Sequence, residues 1–327
     1  MHKKSIQRIV SGITAEEARL KDKHPFLHNQ NLIGFMIMLF AFFGMCGSAL
    51  LYFYAVIPAW LCIVLSGFFA SISHELEHDL IHKLYFRDNT YMHNLMMSVV
   101  WFMRPNTINP WYRRKIHLLH HKTSGTEQDL EERLVGNGIK NTFVRCIVMF
   151  DGLLGLLLQR KILKSEVKAF NFLTIFNAGF PLATLYFISC YTFIIYHIVS
   201  YFLPNNFIYP QWILDNIEWI NFLMVSIIAP NFVRSACLNS VTSYMHYYGN
   251  VRNLLQQTQV IKGWFMWPIN LFCFNFSGTH SIHHFVIQQP FYLRQMVAKS
   301  AHKLMKENGV RFNDFSTFNQ GNRFKDL

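Results

Sequence analysis

Apolar side chains run without a charged interruption from Asn31 to Val56, long enough at 1.5 Å per residue to cross a hydrocarbon core of about 30 Å. A short turn around Pro58 follows, then a second apolar run from Ala59 to about Ile72. A third run extends from about Phe172 to Phe202, and a fourth from about Ile217 to Val233. The third is longer than a crossing needs and contains Gly179 and Pro181, which predicts a kinked or tilted helix. Two further stretches, Met92–Met103 and Thr142–Leu158, are shorter or carry charge, as at Arg145 and Asp151. They predict amphipathic helices lying on the membrane face rather than extra spans. The pattern as a whole predicts an all-α membrane protein, with four transmembrane helices in two hairpins.

Charge orients the hairpins. No Lys or Arg occurs between Lys23 and Lys83, or between Lys168 and Arg234. All 30 basic residues therefore lie in the N-terminal arm, the central segment and the tail. The positive-inside bias places those parts in the cytoplasm, with the Pro58 turn and the Leu203–Asn216 loop outside. Residues 1–30 then read as a polar cytoplasmic arm rather than a cleaved leader, 31–290 as the membrane domain with its cytoplasmic cap, and 291–327 as a cytoplasmic tail. Composition agrees: 52% of residues are hydrophobic and 15% charged, against roughly 25% charged in a soluble domain. The net charge of +12 calls for an anionic partner, and with these apolar runs that partner is membrane lipid, not nucleic acid. Six scattered cysteines form no C-x-x-C pair, which argues against a fused rubredoxin or ferredoxin and against a disulfide framework.

The chemistry lies in the histidines. His74, His78 and His82 recur at every fourth position, while His117, His120 and His121 repeat the H-x-x-H-H spacing of His280, His283 and His284. With 16 His in 327 residues, an H-x-x-H-H string is expected in about 0.04 copies by chance, and two are present. Residues three and four apart share a helix face, so each cluster presents at least two imidazoles together. So many imidazoles exceed the needs of one four-coordinate zinc and imply two metal ions. The charge pattern puts every cluster, and His246 beyond the fourth span, on the same side of the membrane. His2, His24, His28 and His302 are expected to be solvated, His197 interfacial, and His93 outside the site.

These boxes resemble those of the integral-membrane fatty acid desaturase and hydroxylase superfamily, over about Asn31 to Pro290. The resemblance implies a cytoplasmic helical cap holding two iron ions, with O₂ as co-substrate. It implies a fatty acyl substrate and electrons from a separate ferredoxin, rubredoxin or cytochrome b5 type of donor. On it, the ligands are His74, His78, His117, His120, His121, His246, His280, His283 and His284, with His82 an added ligand or a supporting residue. The stretch His246-Tyr-Tyr-Gly is similar to one in membrane alkane hydroxylases. His121 to Arg133 looks like bacterial desaturase-like proteins, some of which form terminal alkenes or alkynes, and this points to a bacterial inner membrane. Two features depart from relatives: Thr242 stands where acyl-CoA desaturases carry an Asn, with Asn239 three residues further back, and no fused cytochrome b5 signature occurs.

Glu75, Glu77 and Asp79 interleave the first box, and Asp129, Glu131 and Glu132 follow the second. They are expected either to accept the outer N–H of ligating imidazoles or to pair with local Arg and Lys. Arg113, Arg114 and Lys115 are candidates for a carrier phosphate or for lipid headgroups. The expected reaction is insertion of a double bond into an acyl chain. Hydroxylation of an alkane or acyl chain and terminal-alkene formation remain open on the same scaffold. A zinc protease using His74-Glu-x-x-His78 would leave the H-x-x-H-H boxes without a role, and a metal transporter would place its ligands near the bilayer midplane, whereas these boxes lie beyond the span ends. Reporter fusions at the Pro58 turn and Asn205 should report the outside, and fusions after Lys140 and at Leu327 the cytoplasm. An external signal at Lys140 would refute the orientation.

Overall fold

The structure, a computed structural model, describes residues 2–203 and 209–325, so Asn205 and Leu327 lie outside the described residues. Helix α1 (His2–Lys23) leads to the hairpin of α2 (Gln30–Phe53) and α3 (Ala59–Ile81). Next come α4 (Thr90–Phe102), α5 (Pro110–Thr123), α6 (Leu130–Leu134), α7 (Thr142–Phe150) and α8 (Gly152–Glu166). The second hairpin comprises α9 (Phe172–Ala178), α10 (Leu182–Phe202), α11 (Gln211–Asp215), α12 (Ile217–Leu223) and α13 (Ala229–Met245). Short α14 (Trp267–Leu271), then α15 (Phe276–Phe285) and α16 (Phe291–Glu307), complete the chain.

Among the described residues, four segments are long and apolar enough to cross a membrane: Gln30–Phe53, Ala59–Ile81, Leu182–Phe202 and Ile217–Met245. Phe40, Phe43, Leu185, Ile188 and Ile195 stand exposed on them, as lipid-facing side chains would. The second and fourth run well past the apolar stretches seen in the sequence. Ile217–Met245 has 29 residues, roughly 44 Å of helix, so its end stands clear of a hydrocarbon core. It absorbs Pro230, which has no N–H to donate, by widening to a π turn at Met224–Ile228. The third run is broken rather than kinked, because Gly179–Pro181 separates α9 from α10. Thr142–Leu158 is likewise two helices, since the Asp151 carboxylate accepts from the Leu153 and Leu154 amides and starts α8 afresh. Asn89, Asn109, Asp129, Asn141 and Asn171 cap α4, α5, α6, α7 and α9 in the same way, so each short helix begins at its own side-chain acceptor.

The main core lies where α2, α3 and α4 meet, around Met38, Leu76, Leu80, Met96, Met97 and Val100. A second core joins α1 to α16 and α15 through Ile9, Ile13, Ile282, Val297, Ala301 and Met305. The first and last segments thus pack on the helix bearing the third histidine box. His302 belongs to this packing, with Nε2 2.5 Å from the Gly278 carbonyl, and is half-buried where solvation was expected. Gly34 lets the Tyr85 ring lie against α2, since a Cβ there would stand 2.4 Å from Cδ1 and Cε1. The Tyr85 hydroxyl in turn donates to Asp79 at 2.8 Å. Gly34→Val should therefore destabilise the protein by about 1–3 kcal/mol through overpacking, with Gly34→Ala milder, read as a lowered unfolding temperature in detergent. An unchanged temperature for Gly34→Val would show that the ring is not confined.

Candidate metal centre

Helix α3 carries His74 and His78 and stops at Ile81, with His82 next in the chain. The backbone turns left-handed at Lys83 and ends the helix, and Arg114 donates to the terminal carbonyls of Leu80 and Ile81 at 2.8 and 3.0 Å. Helix α13 delivers His246 directly at its end. The fourth span therefore reaches the site as one continuous run from its apolar part. Helices α5 and α15 supply the two H-x-x-H-H boxes.

These elements form two groups of facing imidazoles. His78, His82, His117 and His283 make the first, and His120, His246, His280 and His284 the second. His121 adjoins the first, with Nε2 3.1 Å from the Nε2 of both His117 and His283. The two boxes divide in opposite senses. Box two gives its i, i+4 pair, His117 and His121, to the first group and His120 to the second. Box three gives His280 and His284 to the second and His283 to the first. His74 joins neither group, and His82 is drawn in with its Nε2 3.0 Å from His117 Nε2. His93 is outside as expected, with Nδ1 on the Tyr85 carbonyl and Nε2 facing Arg114.

Acceptors behind the rings set which nitrogen faces inward. His117 Nδ1 donates to Glu131 at 2.7 Å, His120 Nδ1 to Asp129 at 2.8 Å and His284 Nδ1 to Gln257 Oε1 at 3.2 Å. His246 Nδ1 donates to the Thr242 carbonyl at 2.9 Å and lies 3.3 Å from Glu132. Each of these rings, when neutral, turns an Nε2 lone pair toward the others. In the second group the Nε2 atoms of His246, His280 and His284 stand 3.2–3.3 Å apart, a spacing that a shared cation or an N–H donated from one ring to another accommodates. Both nitrogens of His78 are buried without a partner. The donor set therefore fits metal ions, and imidazole suits iron among others. His283 is an exception to the pattern, since its Nδ1 faces a donor, Arg294, at 2.8 Å.

Electrostatics favour neutral rings with one exception. Burial pushes His82 and His121 down to about 2 and His246 down to about 3. Burial opposes charge on His120 as well, but the Asp129 carboxylate outweighs it and raises that ring to about 10.

The acidic residues divide between the two expected roles. Asp129, Glu131 and Glu132 lie on ligand-group imidazoles. Glu75, Glu77 and Asp79 instead pair with buried arginines: Glu77 with Arg104 and Arg113, and Glu75 and Asp79 with Arg294 at 3.4 and 3.0 Å. Sequence reasoning missed Arg104, Arg294 and Gln257, which no local spacing marks. Arg113 is engaged by Glu77 and Arg114 by the Leu80 and Ile81 carbonyls, and of the trio Arg113, Arg114 and Lys115 only Lys115 is exposed. Asn239 donates to the Met149 carbonyl, and it is the Thr242 carbonyl that reaches His246. Glu75 Oε2 lies 3.4 Å from Arg294.

A cavity of about 190 Å³ adjoins the site, lined by Asn106, Arg113, Glu131, Arg234, Ser235 and Asn239 among others. It shares Asn106, Leu134, Phe187 and Asn239 with an apolar cavity of about 370 Å³ that reaches Ile175, Phe176, Ile188 and Tyr191.

The sequence profile of the fatty acid desaturase family matches residues 54–316. The chain belongs to that family. A comparison with curated proteins returns no match. As a desaturase-family protein it is of the oxidoreductase type, and the matched region holds both imidazole groups and both cavities.

Metal loading should release close to one proton at neutral pH, because His120 is protonated below about 10 in the metal-free protein and must lose that proton to ligate. Metal affinity should accordingly rise with pH toward that value. Asp129→Asn should weaken affinity about 10–100-fold and abolish the proton release. Calorimetric titration in buffers of different ionisation enthalpy reads both effects, and unaltered release in Asp129→Asn would refute the assignment.

Proposed function

We propose that this protein is a multi-pass membrane enzyme that uses two irons and O₂ to insert a double bond into a fatty acyl chain. The two interleaved imidazole groups carry this reading, because they supply nine nitrogen donors where one zinc takes four. Their oxygen acceptors also hold several of the rings in the tautomer that ligation requires. His78, His82, His117, His121 and His283 would hold one iron, and His120, His246, His280 and His284 the other. The bound irons would supply the oxidising power needed to break an unactivated C–H bond.

The protein's own contribution is placement and exclusion of water. Asp129, Glu131, Glu132 and Gln257 orient imidazoles from behind. Arg104, Arg113 and Arg294 neutralise the carboxylates of α3, so that the span end can be buried. The apolar cavity takes the acyl chain, and Glu131 joins its polar end to His117. Electrons come from a separate donor protein. The site and both termini face the cytoplasm in this reading, which the distribution of Lys and Arg supports.

Purified protein should hold close to two irons per chain. His120→Ala and His246→Ala should lose iron and turnover while leaving membrane insertion intact, whereas His93→Ala should keep the metal. Mass spectrometry of lipids from a host expressing the protein should show an acyl product lighter by two hydrogens. One zinc per chain, or normal iron in His246→Ala, would overturn the assignment.

A further inference from the structure

Arg234 stands apart from the other buried arginines of the site. It is 1% exposed, yet Nε donates only to Asn231 Oδ1 at 3.3 Å and Nη2 only to Asn106 Oδ1 at 2.9 Å. Among the described residues it has no ion pair, and Nη1 has no hydrogen bond. Arg104, Arg113 and Arg294 each have a carboxylate. Arg145 has none either, but all three of its nitrogens are occupied by Ser243, Asn137 and the Phe318 carbonyl, and it lines neither cavity. An unpaired buried charge is costly, by several kcal/mol in general, and so calls for a counter-ion.

The setting of Arg234 defines that counter-ion. It lines the smaller cavity beside Asn106, Thr107, Ser235 and Asn239, which offer further polar groups. The one carboxylate there, Glu131, is already engaged by His117 at 2.7 Å and Arg113 at 3.8 Å. The adjoining cavity is walled by Leu153, Leu156, Ile175, Phe176 and Ile188. A ligand that fills both must carry one anionic group on an apolar tail.

We infer that Arg234 binds the carboxylate of an unesterified fatty acid, whose chain extends along the apolar cavity. A thioester or ester has no charge to place beside Arg234. With the carboxylate next to Glu131, the first carbons of the chain lie nearest the histidine groups and the methyl end lies farthest away. The carbon oxidised is then set by counting from the carboxyl end. This last point rests on the proposed oxidase function, whereas the binding of a carboxylate does not.

Equilibrium dialysis of labelled dodecanoate, methyl dodecanoate and sodium phosphate against the full-length protein in nanodiscs tests the inference. The acid should bind at least about tenfold more tightly than its ester, since a hydrogen bond to a charged group is lost with the ester. Arg234→Gln should erase that preference at unchanged metal content, and Arg234→Lys should retain part of it. Equal binding of acid and ester by the unaltered protein would overturn the inference, whatever the variants do. Phosphate displacing dodecanoate at equal concentration would also overturn it, in favour of a site for inorganic anions. Turnover separates the two ideas. Acid binding that depends on Arg234 without any oxidation would uphold the site and sink the oxidase reading, and oxidation with no acid preference would do the reverse. With decanoate, dodecanoate and tetradecanoate, the oxidised position should stay constant from the carboxyl carbon. A position constant from the methyl end would refute the anchor.

Discussion

Everything in the cap follows from holding many imidazole lone pairs face to face where water does not reach. Such an arrangement is repulsive by itself, and burial makes it worse by removing the solvent that would screen it. It is tolerable only if the rings stay neutral, if their outer nitrogens are held, and if a cation completes the inner side. The acceptors behind His117, His120, His246 and His284 meet the second requirement from three sources: a short helix directly after box two, the last turn of α13, and the loop before α15.

The span end raises a related difficulty. Helix α3 buries Glu75, Glu77 and Asp79 within five residues, and carboxylates so placed need partners brought from elsewhere. Arg104 arrives just beyond α4, Arg113 on α5 and Arg294 on α16. Removing one member of such a pair typically costs about 3–5 kcal/mol, because it strands the other. These ion pairs therefore bind the first hairpin to both ends of the cap, and the packing of α1 on α16 backs them from outside.

Local repetition made much of this legible before any coordinates. Apolar runs showed four spans, and histidine spacing showed the boxes, because both signals lie within one helix. What escaped notice depends on how helices end and rotate. His82 joins the first group just beyond the end of α3 at Ile81, whereas His74 lies outside both groups with its Nε2 buried and unpartnered. The continuation of α13 to Met245 was hidden by its polar last turns, where Arg234, Asn239 and Ser243 face protein instead of lipid. Arg104 and Arg294 could not be told from the other basic residues, 30 in all, since an arginine bound for a buried carboxylate looks like one bound for a headgroup.

The opposite division of the two H-x-x-H-H boxes has a mechanical consequence. Helices α5 and α15 each present imidazoles to both groups on neighbouring faces, about 100° apart per residue around the axis. Rolling either helix would swing donors toward one centre while drawing them from the other, so neither centre can be adjusted alone. The two helices work like a pair of meshed cams that fix the gap between the centres. A one-residue deletion in either would not merely lose a ligand; it would turn the whole cam out of phase with its mate.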